Sequence, residues 1–155
     1  MMPPVLFADR YQTKGGPLVG GMAAVYPCMD IVLERQVAIK IMPGSAHRRR
    51  VRDELEALLK LRSKHVVQVY DVLNHAEGDL AIVQEFIDGL DLFDDKLAPS
   101  SLDGYLKLLW QIASGIADVH ELGVIHRDIK PNNMKVDPEG VIKIFDFGLA
   151  RDEGP

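Results

Sequence analysis

The segment His126-Arg127-Asp128-Ile129-Lys130-Pro131-Asn132-Asn133 puts a carboxylate, a lysine and an amide close together, and Asp146-Phe147-Gly148 begins thirteen residues after Asn133. Carboxylate and amide oxygens are hard ligands of the kind that Mg²⁺ takes. A lysine beside them can neutralise charge on a group in transit. Phosphoryl transfer asks little covalent chemistry of a protein and much positioned charge, so this set of residues suits it.

Such groups act only if secondary structure holds them in place. Leu18 to Met29 carries glycines followed by a strand-like run, and Arg35 to Met42 is β-rich and closed by Pro43-Gly44. Apolar residues at Val51, Leu55, Leu58, Leu59 and Leu61 predict a helix over about 47–62, with charges on its other face. His65 to Leu73 and Asp79 to Ile87 read as two further strands. Beyond Asp88-Gly89 the pattern changes. Leu102, Leu106, Leu109, Ile112, Ala113, Ile116 and Val119 predict a long helix ending near Gly123, with Ser100 and Asp103 spaced as a capping box. Met134 to Val136 and Val141 to Phe145 flank Asp137-Pro138-Glu139-Gly140, a hairpin turn signal.

Composition narrows the setting. The chain has 155 residues, 47% of them apolar and 26% charged, which is a globular and not a disordered profile. A net charge of −5 argues against a dedicated nucleic-acid surface, and the run Arg48-Arg49-Arg50-Val51-Arg52 reads as a solvated helix face. Cys28 is the only cysteine, so no intrachain disulfide can form. There is no membrane-length apolar stretch, and Met1 to Arg10 lacks the order of a signal peptide. A cytoplasmic location is expected.

With these motifs in this order, the chain resembles the catalytic domain of a bacterial-type, eukaryotic-like serine/threonine protein kinase, from Arg10 to Arg151. The resemblance implies an α+β fold. Its first lobe, residues 1–87, would be antiparallel and β-rich with one main helix, and 88–155 would form a partial, mainly helical second lobe. It implies ATP and Mg²⁺ as cofactors and Ser/Thr hydroxyls of proteins as acceptors. Residues 17–26 match the glycine-rich loop, with Leu18 where the first glycine is usual, Ala23 at the third, and Gly20 and Gly21 retained. Val37-Ala38-Ile39-Lys40 matches the strand lysine motif. Ala38 and Val25 would cap the adenine, and Lys40 would contact the α- and β-phosphates. Glu54, or Glu56 in its place, would hold Lys40. Gln84 would be the gatekeeper, main-chain groups of Glu85 and Ile87 would bond the adenine edge, and Lys135 would lie at the adenine floor.

In the loop, Asp128 would accept or orient the proton of the attacking hydroxyl, and Lys130 would neutralise the transferred group. Asn133 and Asp146 would ligate Mg²⁺. His126 and Phe147 would pack, and Arg127 would pair with a phosphorylated loop.

The chain runs only to Pro155, seven residues past Gly148. The expectation is a fragment of a longer kinase, its long helix left with an uncovered apolar face that a missing segment or another chain would complete. The alternatives are a split or truncated kinase-like protein that binds nucleotide or a partner without being competent alone, and a pure nucleotide sensor.

Overall fold

The computed structural model describes residues 6–19, 24–43, 48–92 and 94–145. Its contacts divide the chain into two compact units, Met1–Arg50 with Val69–Phe86, and Val51–Gln68 with Ile87–Pro155.

The first unit is a seven-stranded antiparallel sheet. Its strands are β1 (Leu6–Phe7), β2 (Tyr11–Thr13), β3 (Leu18–Val19), β4 (Ala24–Asp30), β5 (Arg35–Met42), β6 (Val69–Asn74) and β7 (Leu80–Glu85). The order is β1-β2-β4-β5-β7-β6, with β3 paired to β4. Strand alternation sorts the side chains. Tyr26, Ile39 and Val83 align across β4, β5 and β7, and Cys28 aligns with Val37. These residues form the core with Phe7, Tyr11 and Ala81. Each fully buried Val or Ile contributes about 1.5–3 kcal/mol. Burial also pushes the Cys28 thiol up to about 11, so the lone cysteine is a packing residue.

Asp30 closes the β4–β5 turn. It is fully buried, and Arg10 grips it through Nε at 2.9 Å and Nη2 at 2.8 Å. Its Oδ1 also accepts the main-chain N–H groups of Val32 at 3.0 Å and Leu33 at 3.2 Å. One carboxylate therefore fixes the turn and ties it to the residue just before β2.

The second unit holds most of helix α1 (Arg48–Lys60), the helix α2 (Leu102–Glu121), and a small sheet of β8 (Leu90–Asp91), β9 (Met134–Val136) and β10 (Ile142–Ile144) in the order β10-β9-β8. The fold class expected from the sequence is observed: an antiparallel β-rich portion and a mainly helical one. Met134, Ile142 and Ile144 form the core, packed by Leu108, Ile112 and Ile116 of α2. Asp137 makes the β9–β10 turn by accepting from the N–H groups of Glu139 and Val141, both at 2.9 Å. Two glycines permit close approach. A Cβ on Gly89 would lie 2.3 Å from the Val136 carbonyl oxygen, and one on Gly115 of α2 would lie 2.9 Å from that of His65.

Two expectations are corrected. The strand expected from His65 begins only at Val69, because Val66 bridges Ile144 in parallel and Val67 N–H bonds the Ile144 carbonyl at 2.9 Å. The cap of α2 is Ser101, not Ser100; in extended backbone its hydroxyl accepts from Gly104 N–H at 3.1 Å. Strands β1, β2 and β8 were too short to leave a periodic signal. The uncovered helix face is as expected: Leu102, Leu106, Leu109 and Trp110 of α2 are all more than half exposed. No helix among the described residues is long and apolar enough to cross a membrane.

Asp30 gives the first prediction. The Arg10 guanidinium holds its carboxyl at about 2, against an ordinary 3.8. A group depressed on folding contributes stability that is complete above its unfolded-state value and is lost as pH falls through the folded one. Asp30→Asn is expected to cost about 2–4 kcal/mol at neutral pH. Urea midpoints followed from about pH 5 to pH 2 should then fall more steeply in the native protein than in the variant. Parallel pH profiles would remove Asp30 from this role.

Candidate functional site

Sheet register places part of the candidate set. Lys40 pairs with Val25 on β4 and Ile82 on β7, and Ala38 pairs with Gln84. Because side chains two apart share a face, Val25, Ala38, Lys40 and Gln84 all lie on the face opposite the Tyr26–Ile39–Val83 core. Ala38 and Gln84 are buried, and Val25 and Lys40 are half-buried. Leu18 pairs with Val25 through β3, Glu85 ends β7, and Ile87 follows in the second unit. Gly20 and Gly21 lie outside the described residues.

The second unit holds the loop that carries Asp128. Helix α2 ends at Glu121, and Gly123 just beyond it has a left-handed φ of 73°. Val124 and His126 are buried, and Pro131–Asn133 makes a single helical turn before β9. Asn133 closes this loop on itself. Its Nδ2 donates to the Asp128 carbonyl and to the Asp128 Oδ2, both at 2.9 Å. Two acceptors on one side fix which end of the amide faces Asp128, so Oδ1 points elsewhere. Lys130 Nζ lies 3.6 Å from the same Asp128 Oδ2 and is about half exposed. Asp128, Lys130 and Asn133 are thus brought together around one carboxylate.

The loop is tied down from behind by His126. Asp128 N–H lies 3.0 Å from its Nδ1, and its Nε2 is 2.9 Å from the Phe145 carbonyl. An N–H can only donate and a carbonyl can only accept, so the ring is the neutral Nε2–H tautomer. Phe145 N–H returns to the Asn133 carbonyl at 2.9 Å. The residue just before Asp146 is therefore bonded to both ends of the loop. Asp146, Phe147 and Gly148 lie outside the described residues. Lys135 sits on β9 opposite Lys143 and Asp91, its ammonium 5.8 Å from the centre of the Phe145 ring.

Glu54 of α1 belongs to this unit, and its Oε1 accepts from Arg127 Nη1 at 2.8 Å. The sequence had set these two residues to separate tasks. Seventy-three positions part them, and no local spacing could have joined them. The double role of the His126 ring was likewise hidden, since its partners are a main-chain N–H and a main-chain carbonyl.

What Mg²⁺ would require can be compared with these donors. Among the described residues no three of His, Cys, Asp or Glu cluster as a ligand group. The Asn133 amide oxygen and the Asp146 carboxylate of the sequence are hard donors that fit the ion, with phosphate oxygens and water as the natural remainder.

A family model described as the protein kinase domain matches residues 19–154. The chain is 38% identical over 150 residues to the serine/threonine-protein kinase PrkC of Bacillus subtilis, covering 92% of this chain and 23% of that protein. It is 35% identical over 154 residues to the probable serine/threonine-protein kinase PknB of Lactococcus lactis, covering 94% and 24%. It is 36% identical over 159 residues to the serine/threonine-protein kinase PksC of Streptomyces coelicolor, covering 92% and 28%. The chain spans about a quarter of the length of these relatives.

The His126 ring makes a prediction independent of activity. Long-range ¹H–¹⁵N spectra should show a neutral ring protonated at Nε2 at neutral pH. A ring protonated at Nδ1 would contradict the loop geometry. His126→Phe, which keeps the bulk and loses both bonds, should destabilise by about 1–3 kcal/mol in urea unfolding.

Proposed function

This chain belongs to the protein kinase domain family, and from that premise we propose that it supplies the ATP, Mg²⁺ and catalytic-loop portion of a serine/threonine protein kinase. The observation that supports this most is the Asn133 amide gripping Asp128 at both its carbonyl and its carboxylate. That grip fixes the orientation of the carboxylate that would receive an incoming hydroxyl and turns the amide oxygen away from Asp128.

In the proposed reaction, a Ser or Thr hydroxyl oxygen attacks the γ-phosphorus of ATP. The bond from that phosphorus to the β,γ-bridging oxygen breaks, ADP leaves, and the hydroxyl proton passes to Asp128. Lys130 neutralises the phosphoryl group as it moves. Asn133 and Asp146 would hold Mg²⁺, which when bound offsets negative charge on the phosphates.

On the family resemblance, Lys40 would serve the α- and β-phosphates and draw on Glu54 for its orientation. Val25 and Ala38 would cover the adenine, Lys135 would lie beneath it, and Gln84 would guard the inner end. Main-chain groups of Glu85 and Ile87 would take its edge, while the glycine-rich loop of Leu18, Gly20 and Gly21 would serve the phosphates. The division of labour falls at residues 87 and 88. A cytoplasmic setting agrees with the single buried thiol. A second reading, a kinase-like chain that binds nucleotide or a partner chain without transferring phosphate alone, draws on the exposed Leu102–Trp110 face of α2.

The test is transfer of labelled γ-phosphate to the chain itself or to a mixed protein substrate, followed by phosphoamino-acid analysis. Label should appear on Ser or Thr. Asp128→Asn should lower the rate by about 100-fold or more while leaving thermal unfolding close to that of the native chain. Equal incorporation in the variant would overturn the assignment of Asp128, and absence of transfer with retained ATP binding would favour the second reading.

A further inference from the structure

Arg127 carries a φ of 68°, the left-handed region, although it is neither glycine nor one of the residues that tolerate it. Such a conformation persists only where its surroundings hold it. Two restraints act on it here. On the C-terminal side, Asp128 N–H is fastened to His126. On the other, the arginine's own guanidinium is fastened to Glu54 at 2.8 Å, with both side chains largely buried, 15% exposed for Arg127 and 12% for Glu54. Glu54 in turn rides on α1 beside Leu55 and Leu58, each only 2% exposed, so its helix is anchored by packing.

We propose that Arg127 and Glu54 are a positioning pair: the α1 carboxylate holds the guanidinium, and the guanidinium holds the left-handed turn that aims Asp128. Neither residue touches the reacting atoms in this role. A buried ion pair is costly to half-remove, because the survivor is left as an unmatched charge in a poorly solvated place. The turn therefore has one stable setting while the pair is intact. This gives Glu54 a task on the catalytic loop in addition to the one toward Lys40, and it gives Arg127 a task that needs no phosphate. The proposal rests on the kinase reading for its consequence in rate, and on geometry alone for its consequence in structure.

The full chain carrying Arg127→Met, Arg127→Lys, Glu54→Gln, or Arg127→Met with Glu54→Gln tests both. In labelled-phosphate transfer, Arg127→Met is expected to lower kcat about 10- to 100-fold with little change in KM for ATP, and Arg127→Lys to recover part of it. In the Glu54→Gln background, adding Arg127→Met should cost clearly less than it does in the native chain, because the two substitutions remove one shared contact. Full additivity of the two substitutions, or a loss confined to KM for ATP, would overturn the pairing as a positioning device.

If the native chain transfers no phosphate, the kinase reading fails while the pairing is still decided by hydrogen exchange. The Asp128 amide should exchange about 10-fold faster or more in both single variants, and the double variant should fall well short of the product of the two effects. An unchanged Asp128 amide in Arg127→Met would overturn the proposal.

Discussion

The second unit depends on the main-chain hydrogen bonds around one short strand, Ile142–Ile144, and the residue after it. Ile144 donates to His65 at 2.9 Å and accepts from Val67 at 2.9 Å, which fastens the segment following α1. Its other edge pairs with Met134–Val136. Phe145 then donates to Asn133 and accepts from His126, which fastens the loop of Asp128. Since Ile142 and Ile144 are each only 1% exposed, these bonds are shielded from water and cannot be exchanged for solvent without exposing the core. The segment that follows the helix of Glu54 and the loop that carries Asp128 and Asn133 are both bonded to this strand and the residue after it.

The first unit solves a different problem by parity alone. Its antiparallel register gives one face to Tyr26, Cys28, Val37, Ile39 and Val83, and the other to Val25, Ala38, Lys40 and Gln84. A slip of one residue would exchange the two sets. The buried Asp30 guards against such a slip at the β4–β5 turn, because its hydrogen bonds to Val32 and Leu33 fit one register only.

Much of this was legible in the sequence. Alternation marked Arg35–Met42, periodicity marked Arg48–Lys60 and Leu102–Glu121, and Asp137 to Gly140 marked the β9–β10 turn. The grouping of Asp128, Lys130 and Asn133 follows from short spacing, and the structure brings them to one carboxylate. What stayed hidden was decided by partners far along the chain. His65 to Val67 has the composition of a strand of the large sheet, yet its hydrogen bonds go to Ile144. Arg127 and Glu54 carry no sign of each other in sequence, and a main-chain bond to a histidine ring leaves no trace in residue type.

In the proposed function, the Asn133 amide oxygen, turned away from Asp128, would face the metal that accompanies a nucleotide. The most direct measurement follows the Asn133 side-chain amide resonances as ATP and paramagnetic Mn²⁺, standing in for Mg²⁺, are added to the chain. Broadening of these resonances that requires both ATP and Mn²⁺, and that disappears when excess Mg²⁺ competes, is the predicted result. Resonances that stay sharp at saturating nucleotide, or that broaden equally with Mn²⁺ alone, would contradict the account.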